Sequence, residues 1–197
     1  MGVDVYRFSI SWSRILPQGT GDVNPEGINF YNNVINELVE NGIDPCVTLF
    51  HFDLPTALQE AYNGFLDSRI VDDFKNYADI CFKNFGDRVK RWTTINEPSI
   101  FVEYGHKMGL SVPDDPTKYP YIATHNIILS QAAAATLYKQ KYQATHGGEI
   151  GITVSTVWFE PHSKSIADKD AAARAFSFSV GWLVRVCLFF ADSRSEI

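Results

Sequence analysis

A carboxyl group with an amide beside it stands at the end of an apolar stretch, in Asn96-Glu97-Pro98. Residues 88–96 are typical of a buried strand, and Pro98 ends it because proline cannot continue a β-ladder. A carboxyl group at the exit of a buried strand loses solvent, which favours its protonated form. Glu97 is therefore a candidate general acid for a glycosidic oxygen, and Asn96 a candidate donor to a sugar hydroxyl. Taken alone, an Asn-Glu-Pro tripeptide is more often a surface loop.

Three further polar residues accompany strand-like runs. His51 ends the apolar run 43–51, and Glu160 follows the run 150–159. Both are candidates because barrel enzymes carry catalytic groups at the carboxyl ends of their strands. His51 is either a ligand contact or a histidine that caps a strand, whereas Glu160 fits better with a role in the loop after its strand. Arg7 lies inside the first run, where a buried guanidinium needs an anionic partner.

Strand-like and helix-like segments alternate four times along the chain. Runs rich in β-branched and aromatic residues predict strands, and apolar residues at helical spacing predict helices. The predicted strands are 3–12, 43–51, 88–96 and 150–159, the predicted helices are 27–41, 68–85, 121–146 and 168–183, and residues 99–118 are predicted to be irregular. This alternation predicts an α/β fold with a parallel sheet.

Two architectures fit this alternation, a doubly wound sheet and part of a (β/α)8 barrel. No glycine-rich loop follows a predicted strand, so the nucleotide-binding doubly wound variant lacks its fingerprint. The polar residues at strand ends favour the barrel. A whole barrel needs about 250 residues, so these 197 residues with four strands correspond to about half of one.

Composition argues against several classes of partner. A net charge of −6 does not suit nucleic acid, which requires basic patches to meet its phosphates. The three cysteines, Cys46, Cys81 and Cys187, contain no CxxC pair, so we expect no metal site, no disulfide framework and no cofactor. No signal peptide opens the sequence, and the apolar run 186–191 is too short to span a bilayer. We expect no membrane partner, and the compartment is left open.

Four ordered motifs resemble those of glycoside hydrolase family 1. They are YRFSISWSRILP at 6–17, VTLFHFDLP at 47–55, NGFL at 63–66, and FGDRVKRW at 85–92 leading into TINEP at 94–98. The resemblance extends from about residue 1 to 182, and its style is that of plant β-glucosidases and thioglucosidases.

This resemblance implies the second to fifth strands of a (β/α)8 barrel that hydrolyses β-D-glucosides with retention of configuration. It gives Glu97 the role of the acid/base and Asn96 contact with the sugar 2-hydroxyl. It also gives His51 a role in binding the glycone and Arg7 an interaction with the nucleophile. The family usually has tryptophan after that histidine, and Phe52 keeps the ring but loses an indole donor.

The resemblance also sets the expected boundaries and the alternatives. Residues 1–183 are predicted to be a partial family barrel and 184–197 a tail unlike the family. The family's first strand, its nucleophile and its last βα units lie outside these residues, so we expect the chain to be inactive alone. The alternative is a catalytically dead sugar-binding or regulatory protein. Open sheet edges would allow oligomers or aggregates, and the aglycone is left open.

One segment imitates the family's nucleophile motif, Thr-Glu-Asn-Gly. Residues 39–42 read Val-Glu-Asn-Gly, but they end a predicted amphipathic helix directly before a strand. Glu40 is therefore expected at the surface, on the side of the sheet opposite Glu97.

Overall fold

The computed structural model describes residues 2–104 and 117–181. These residues divide into two compact units, one ending at Thr153 and the other beginning at Val154. The first unit is a four-stranded sheet with the helices that connect its strands. Within 154–181, the second unit contains the α-helix α8 (Ile166–Phe176), which continues into a π-helical turn, Ser177–Gly181.

The elements of the first unit alternate as the sequence predicts. Its strands are β1 (Val5–Ser9), β2 (Asp44–Phe50), β3 (Arg91–Asn96) and β4 (Glu149–Thr153). Its helices are α1 (Trp12–Ile15), α2 (Pro25–Glu40), α3 (Thr56–Tyr62), α4 (Arg69–Phe85), α5 (Pro98–Tyr104), α6 (Tyr119–Leu137) and α7 (Gln143–His146), with a 3-10 turn at Gly64–Leu66 and a π-helical turn at Tyr138–Tyr142.

All pairings in the sheet are parallel, in the order β1-β2-β3-β4. Consecutive strands are therefore neighbours, with a helical connection between each pair, as in βαβ units. The carboxyl ends of all four strands lie at the same edge of the sheet. The predicted α/β fold with a parallel sheet is confirmed.

Local signals explain where the first long connecting helix begins and ends. Asn24 caps α2, since its side chain accepts a hydrogen bond from the Glu26 N–H at 3.1 Å, and Pro25 follows in the first turn, where its missing N–H costs nothing. Gly42 follows the helix with φ of 71°, a left-handed conformation that glycine adopts without strain. Strand β2 begins two residues later.

The core lies between the sheet and the helices that cover it. One face of α4 supplies seven buried residues: Ile70, Phe74, Tyr77, Ala78, Cys81, Phe82 and Phe85. Trp12 stacks on Tyr77, with ring centroids 5.0 Å apart and 7° between the planes. The short helix α1, which the sequence did not indicate, thus carries a fully buried aromatic anchor.

Four predicted elements need correction. The first strand was predicted to extend from 3 to 12, but it ends at Ser9 and Trp12 begins α1. Residues 99–118 were expected to be irregular, yet α5 occupies Pro98–Tyr104, and 105–116 lie outside the described residues. The predicted helix 121–146 is divided by the π-helical turn Tyr138–Tyr142. The fourth strand was predicted to extend from 150 to 159 but ends at Thr153.

The early end of β4 has a physical cause in its neighbour. Thr153 pairs with Asn96, the last residue of β3, and Pro98 then starts a helix. A strand beyond Thr153 would have no ladder partner on that side. Residues 154–159 are rich in β-branched and aromatic side chains, as strands are, but composition cannot reveal that the neighbouring chain has turned away from the sheet.

Candidate active site

The four predicted site residues come together at the carboxyl-end edge of the sheet. Arg7 projects from β1, His51 directly follows β2, Asn96 ends β3, and Glu97 directly follows it. Hydrogen bonds connect all four side chains, although they lie up to 90 residues apart in the sequence. The barrel-type placement of polar groups at strand ends therefore holds in the structure.

The Asn96 side chain is the centre of this group. Its Oδ1 accepts a hydrogen bond from Arg7 Nη2 at 2.6 Å. Its Nδ2 lies 3.1 Å from His51 Nε2 and donates to Glu97 Oε2 at 3.2 Å. Because an amide nitrogen only donates, this contact requires His51 Nε2 to be the unprotonated, accepting nitrogen. Asn96 is buried, with 2% of its surface exposed, so its neighbours rather than solvent orient it.

Arg7 is more open than the sequence suggested. It was expected to be buried and to need an anionic partner, but it is exposed. Its Nη2 donates to two neutral acceptors, Asn96 Oδ1 and Thr153 Oγ1, the latter at 3.2 Å. No salt bridge of Arg7 occurs within residues 2–104 and 117–181. An exposed guanidinium is hydrated, which removes the need for a counter-charge.

The turn after β2 holds His51 in place. Its N–H donates to Asp53 Oδ1 at 3.2 Å, across Phe52, whose φ of 68° is uncommon for a residue with a side chain. The Phe52 ring stacks on Phe101, with centroids 5.7 Å apart. Burial raises the pKa of Asp53, and the hydrogen bond from the His51 backbone opposes that rise.

Glu97 also has a left-handed backbone, with φ of 40°. Its N–H donates to the Thr153 carbonyl at 2.9 Å, and its own carbonyl accepts from the Phe101 N–H at 3.1 Å. Such a conformation costs on the order of 1–3 kcal/mol and persists only where surrounding contacts fix it. The Glu97 side chain is half-buried, so its carboxyl group is anchored yet reachable from solvent.

Sequence reasoning missed Thr153, which contacts both Arg7 and Glu97. The fourth strand was predicted to end six residues too late, which directed attention to Glu160. No local signal identifies it, because Thr153 is the last residue of β4 only through its pairing with β3, which ends before Pro98.

The other candidate residues lie away from the group. Glu40 is exposed at the end of α2, four residues before β2 begins at Asp44, and so lies at the opposite edge of the sheet, as expected. Glu160 is exposed and belongs to the second unit.

Among the described residues, no set of three or more histidine, cysteine or acidic side chains is arranged to hold a metal ion. Cys46 and Cys81 are free thiols, and burial raises the pKa of Cys81. Cys187 lies outside the described residues. Within the same ranges, no helix has both the length and the apolar character of a bilayer span.

A parallel α/β sheet with arginine, histidine, asparagine and glutamate gathered at its carboxyl edge defines a barrel-type enzyme architecture. The family model for glycosyl hydrolase family 1 matches residues 1–192. The chain belongs to this family, and the resemblance to it and the partial (β/α)8 barrel are confirmed. The division into 1–183 and 184–197 stays a prediction.

Plant β-glucosidases are among its relatives. Furostanol glycoside 26-O-beta-glucosidase of Hellenia speciosa is 53% identical over 92% of this chain and 35% of its own length. Beta-glucosidase 17 of Arabidopsis thaliana is 52% identical, over 92% of this chain and 38% of its own. The crystal structure of a rice β-glucosidase has a TM-score of 0.88 at 47% identity, covering 94% of this chain and 41% of that one. The chain thus spans roughly two fifths of the length of these relatives or less.

Proposed function

We propose that this chain carries the acid/base side of the active site of a retaining β-glucosidase, with Glu97 as the acid/base. The observation that carries the proposal is the Asn96 side chain, which joins Arg7, His51 and Glu97 at the carboxyl edge of the sheet. Family membership and relatives whose names are β-glucosidases support it.

In a retaining glycosidase two carboxyl groups about 5–5.5 Å apart act on opposite sides of the glycosidic bond. Glu97 would first protonate the departing oxygen and then, as a carboxylate, take a proton from the water that releases the sugar. Its half-buried side chain meets both needs, since substrate can reach a carboxyl group whose backbone is fixed.

Asn96 and His51 would bind glucosyl hydroxyls. Both hydrogens of the Asn96 amide already have partners, His51 Nε2 and Glu97 Oε2. A sugar hydroxyl would therefore replace one of these contacts, which costs less than desolvating a free amide. Substrate binding would thus rearrange the hydrogen bonds of Glu97 itself.

Arg7 would pair with the nucleophile. The hydrogen bonds found for Arg7 in the described residues use Nη2 alone, which leaves its other donors for an anion. No Thr-Glu-Asn-Gly motif occurs in the 197 residues, so we propose that sequence outside them supplies the nucleophile. For the same reason we expect no hydrolysis of aryl β-glucosides by the 197 residues assayed alone.

The test is a complete barrel, in which the first strand and the last three to four βα units of the rice β-glucosidase are joined to this chain. We expect Glu97→Gln to slow hydrolysis of glucosides with poor leaving groups by about 10²–10⁴-fold. The loss should be smaller for activated aryl glucosides, whose leaving groups depart with little protonation.

Glu40→Gln is the matched control, because it makes the same change at the opposite edge of the sheet. Turnover that survives Glu97→Gln but is abolished by Glu40→Gln would reverse the assignment. A barrel that binds glucosides without turning them over would instead support the sugar-binding alternative.

A further inference from the structure

The contact between Arg7 and Thr153 joins the two outer strands of the described sheet. β1 and β4 are separated by β2 and β3, so a flat sheet would place them about 14 Å apart, three spacings of about 4.8 Å. Yet Arg7 Nη2 reaches Thr153 Oγ1 at 3.2 Å. This direct contact is a consequence of the curvature and twist of the sheet, and it crosses the concave face on which Asn96 also lies.

The end of β3 is irregular where it meets Thr153. Thr93 pairs with Gly151 and Asn96 with Thr153, so three steps along β3 correspond to two along β4. One extra residue in a strand is a β-bulge, a device that redirects side chains near active sites. Directly after the bulge, Glu97 takes its left-handed backbone and donates its N–H to the Thr153 carbonyl at 2.9 Å.

Thr153 is therefore held from two directions. Its carbonyl fixes the backbone of Glu97, and its hydroxyl accepts from Arg7. The two groups belong to one residue with a β-branched, rotationally restricted side chain. These two contacts connect Arg7 to the Glu97 backbone by a path that does not include Asn96.

We propose that Thr153 is a positioning residue, which links the Arg7 guanidinium to the strained backbone of Glu97. It touches no reacting atom. The link itself rests on the contacts above, and only its consequence for turnover rests on the proposed function.

Amide hydrogen exchange in the 197-residue chain, followed by NMR, tests the link without any turnover. Thr153→Val keeps the shape but removes the hydroxyl, and we expect the Glu97 amide to exchange about tenfold faster, as for a local opening that has lost one charged hydrogen bond. Thr153→Ser restores the hydroxyl and should restore protection. Thr145→Val is the control, because Thr145 Oγ1 donates to the Tyr142 carbonyl within the helical segment that precedes β4.

Three results would overturn the proposal. The Glu97 amide could be unprotected in the unmodified chain, Thr153→Val could leave its exchange unchanged, or the exchange of Val47 and Leu49 in β2 could rise equally, which indicates general destabilisation. If Thr153→Val does not fold, Thr153→Ala removes the same hydroxyl with less crowding, and the same comparison applies.

Kinetics in the complete barrel give the second readout. We expect Thr153→Val to lower kcat about tenfold and to change KM less than about twofold. The reason is that the orientation of the Glu97 carboxyl group matters in the transition state. Thr153→Ser should recover most of kcat. Failure of both variants and of the unmodified barrel to turn over would contradict the proposed function, whereas an active barrel insensitive to Thr153→Val would contradict only this inference.

Discussion

The Tyr77 hydroxyl connects a helix to the two strands that carry Arg7 and His51. Tyr77 lies in α4 with none of its surface exposed. Its hydroxyl is 3.0 Å from the Ile10 carbonyl, just after β1, and 2.9 Å from the Leu49 carbonyl in β2. Burial holds the pKa of Tyr77 well above its ordinary value, so the hydroxyl stays protonated and donates at any pH that the protein meets.

Tyr77→Phe removes only the hydroxyl and keeps the ring stacked on Trp12. One hydrogen bond is lost, and the two buried carbonyls lose the donor that they share. An unsatisfied buried polar group costs about 1–3 kcal/mol, so we expect the free energy of unfolding to fall by about 2 kcal/mol. Urea denaturation of the 197-residue chain, followed by circular dichroism, measures this change.

Tyr142→Phe is the matched comparison. The Tyr142 hydroxyl donates to Asp79 Oδ1 at 2.7 Å, but Asp79 also accepts from Lys141 and is reached by solvent. Loss of the Tyr142 hydroxyl should therefore lower the free energy of unfolding by less than about 1 kcal/mol. A Tyr77→Phe loss equal to or smaller than the Tyr142→Phe loss, at unchanged denaturant dependence, would refute the view that this buried hydroxyl secures the strand ends.

Two further predictions concern acid and association. Burial, reinforced by the charge of Lys90, lowers the pKa of His146 from 6.5. The unfolded chain therefore binds this proton more readily, and the free energy of unfolding should fall as pH drops through about 6.5. The urea midpoints at pH 7.5 and 5.5 should differ less in His146→Phe than in the unmodified chain, and an equal difference in the two proteins would contradict this. β1 is an outer strand of the described sheet, and Tyr6 in it is 50% exposed. The 197 residues alone should therefore elute as oligomers in size-exclusion chromatography, and a sharp monomer peak would contradict association through this edge.

Most of the fold and the location of the site follow from local patterns. Helical spacing identifies α4, and its predicted range of 68–85 differs from Arg69–Phe85 by one residue. The buried run 43–51 corresponds to β2 (Asp44–Phe50). Because parallel strands share their polarity, knowing where strands end already places His51, Asn96 and Glu97 at one edge.

The rest of the fold and of the site depends on which distant segments of the chain contact each other, and local sequence patterns do not contain that information. Pro98 ends β3, and this decides that β4 ends at Thr153, because Thr153 is the last residue that β3 can pair. The curvature of the sheet decides that Arg7 reaches the neutral acceptors Asn96 and Thr153 rather than a buried anion. Each of these features depends on which distant residue a strand or side chain contacts, and the neighbouring residues in the sequence do not encode that contact.

The chemistry of the site explains why an amide stands at its centre. Arg7 offers only donors, Glu97 as a carboxylate offers only acceptors, and His51 presents an accepting nitrogen to this group. Only a side chain with both an acceptor and two donors can satisfy all three, and Asn96 has that set. An aspartate of the same shape could still bind Arg7, but it would place a second carboxylate against Glu97 and leave His51 without a donor. Asn96 therefore joins the exposed Arg7 guanidinium to the half-buried Glu97 carboxyl group through its own buried amide, without adding a charge.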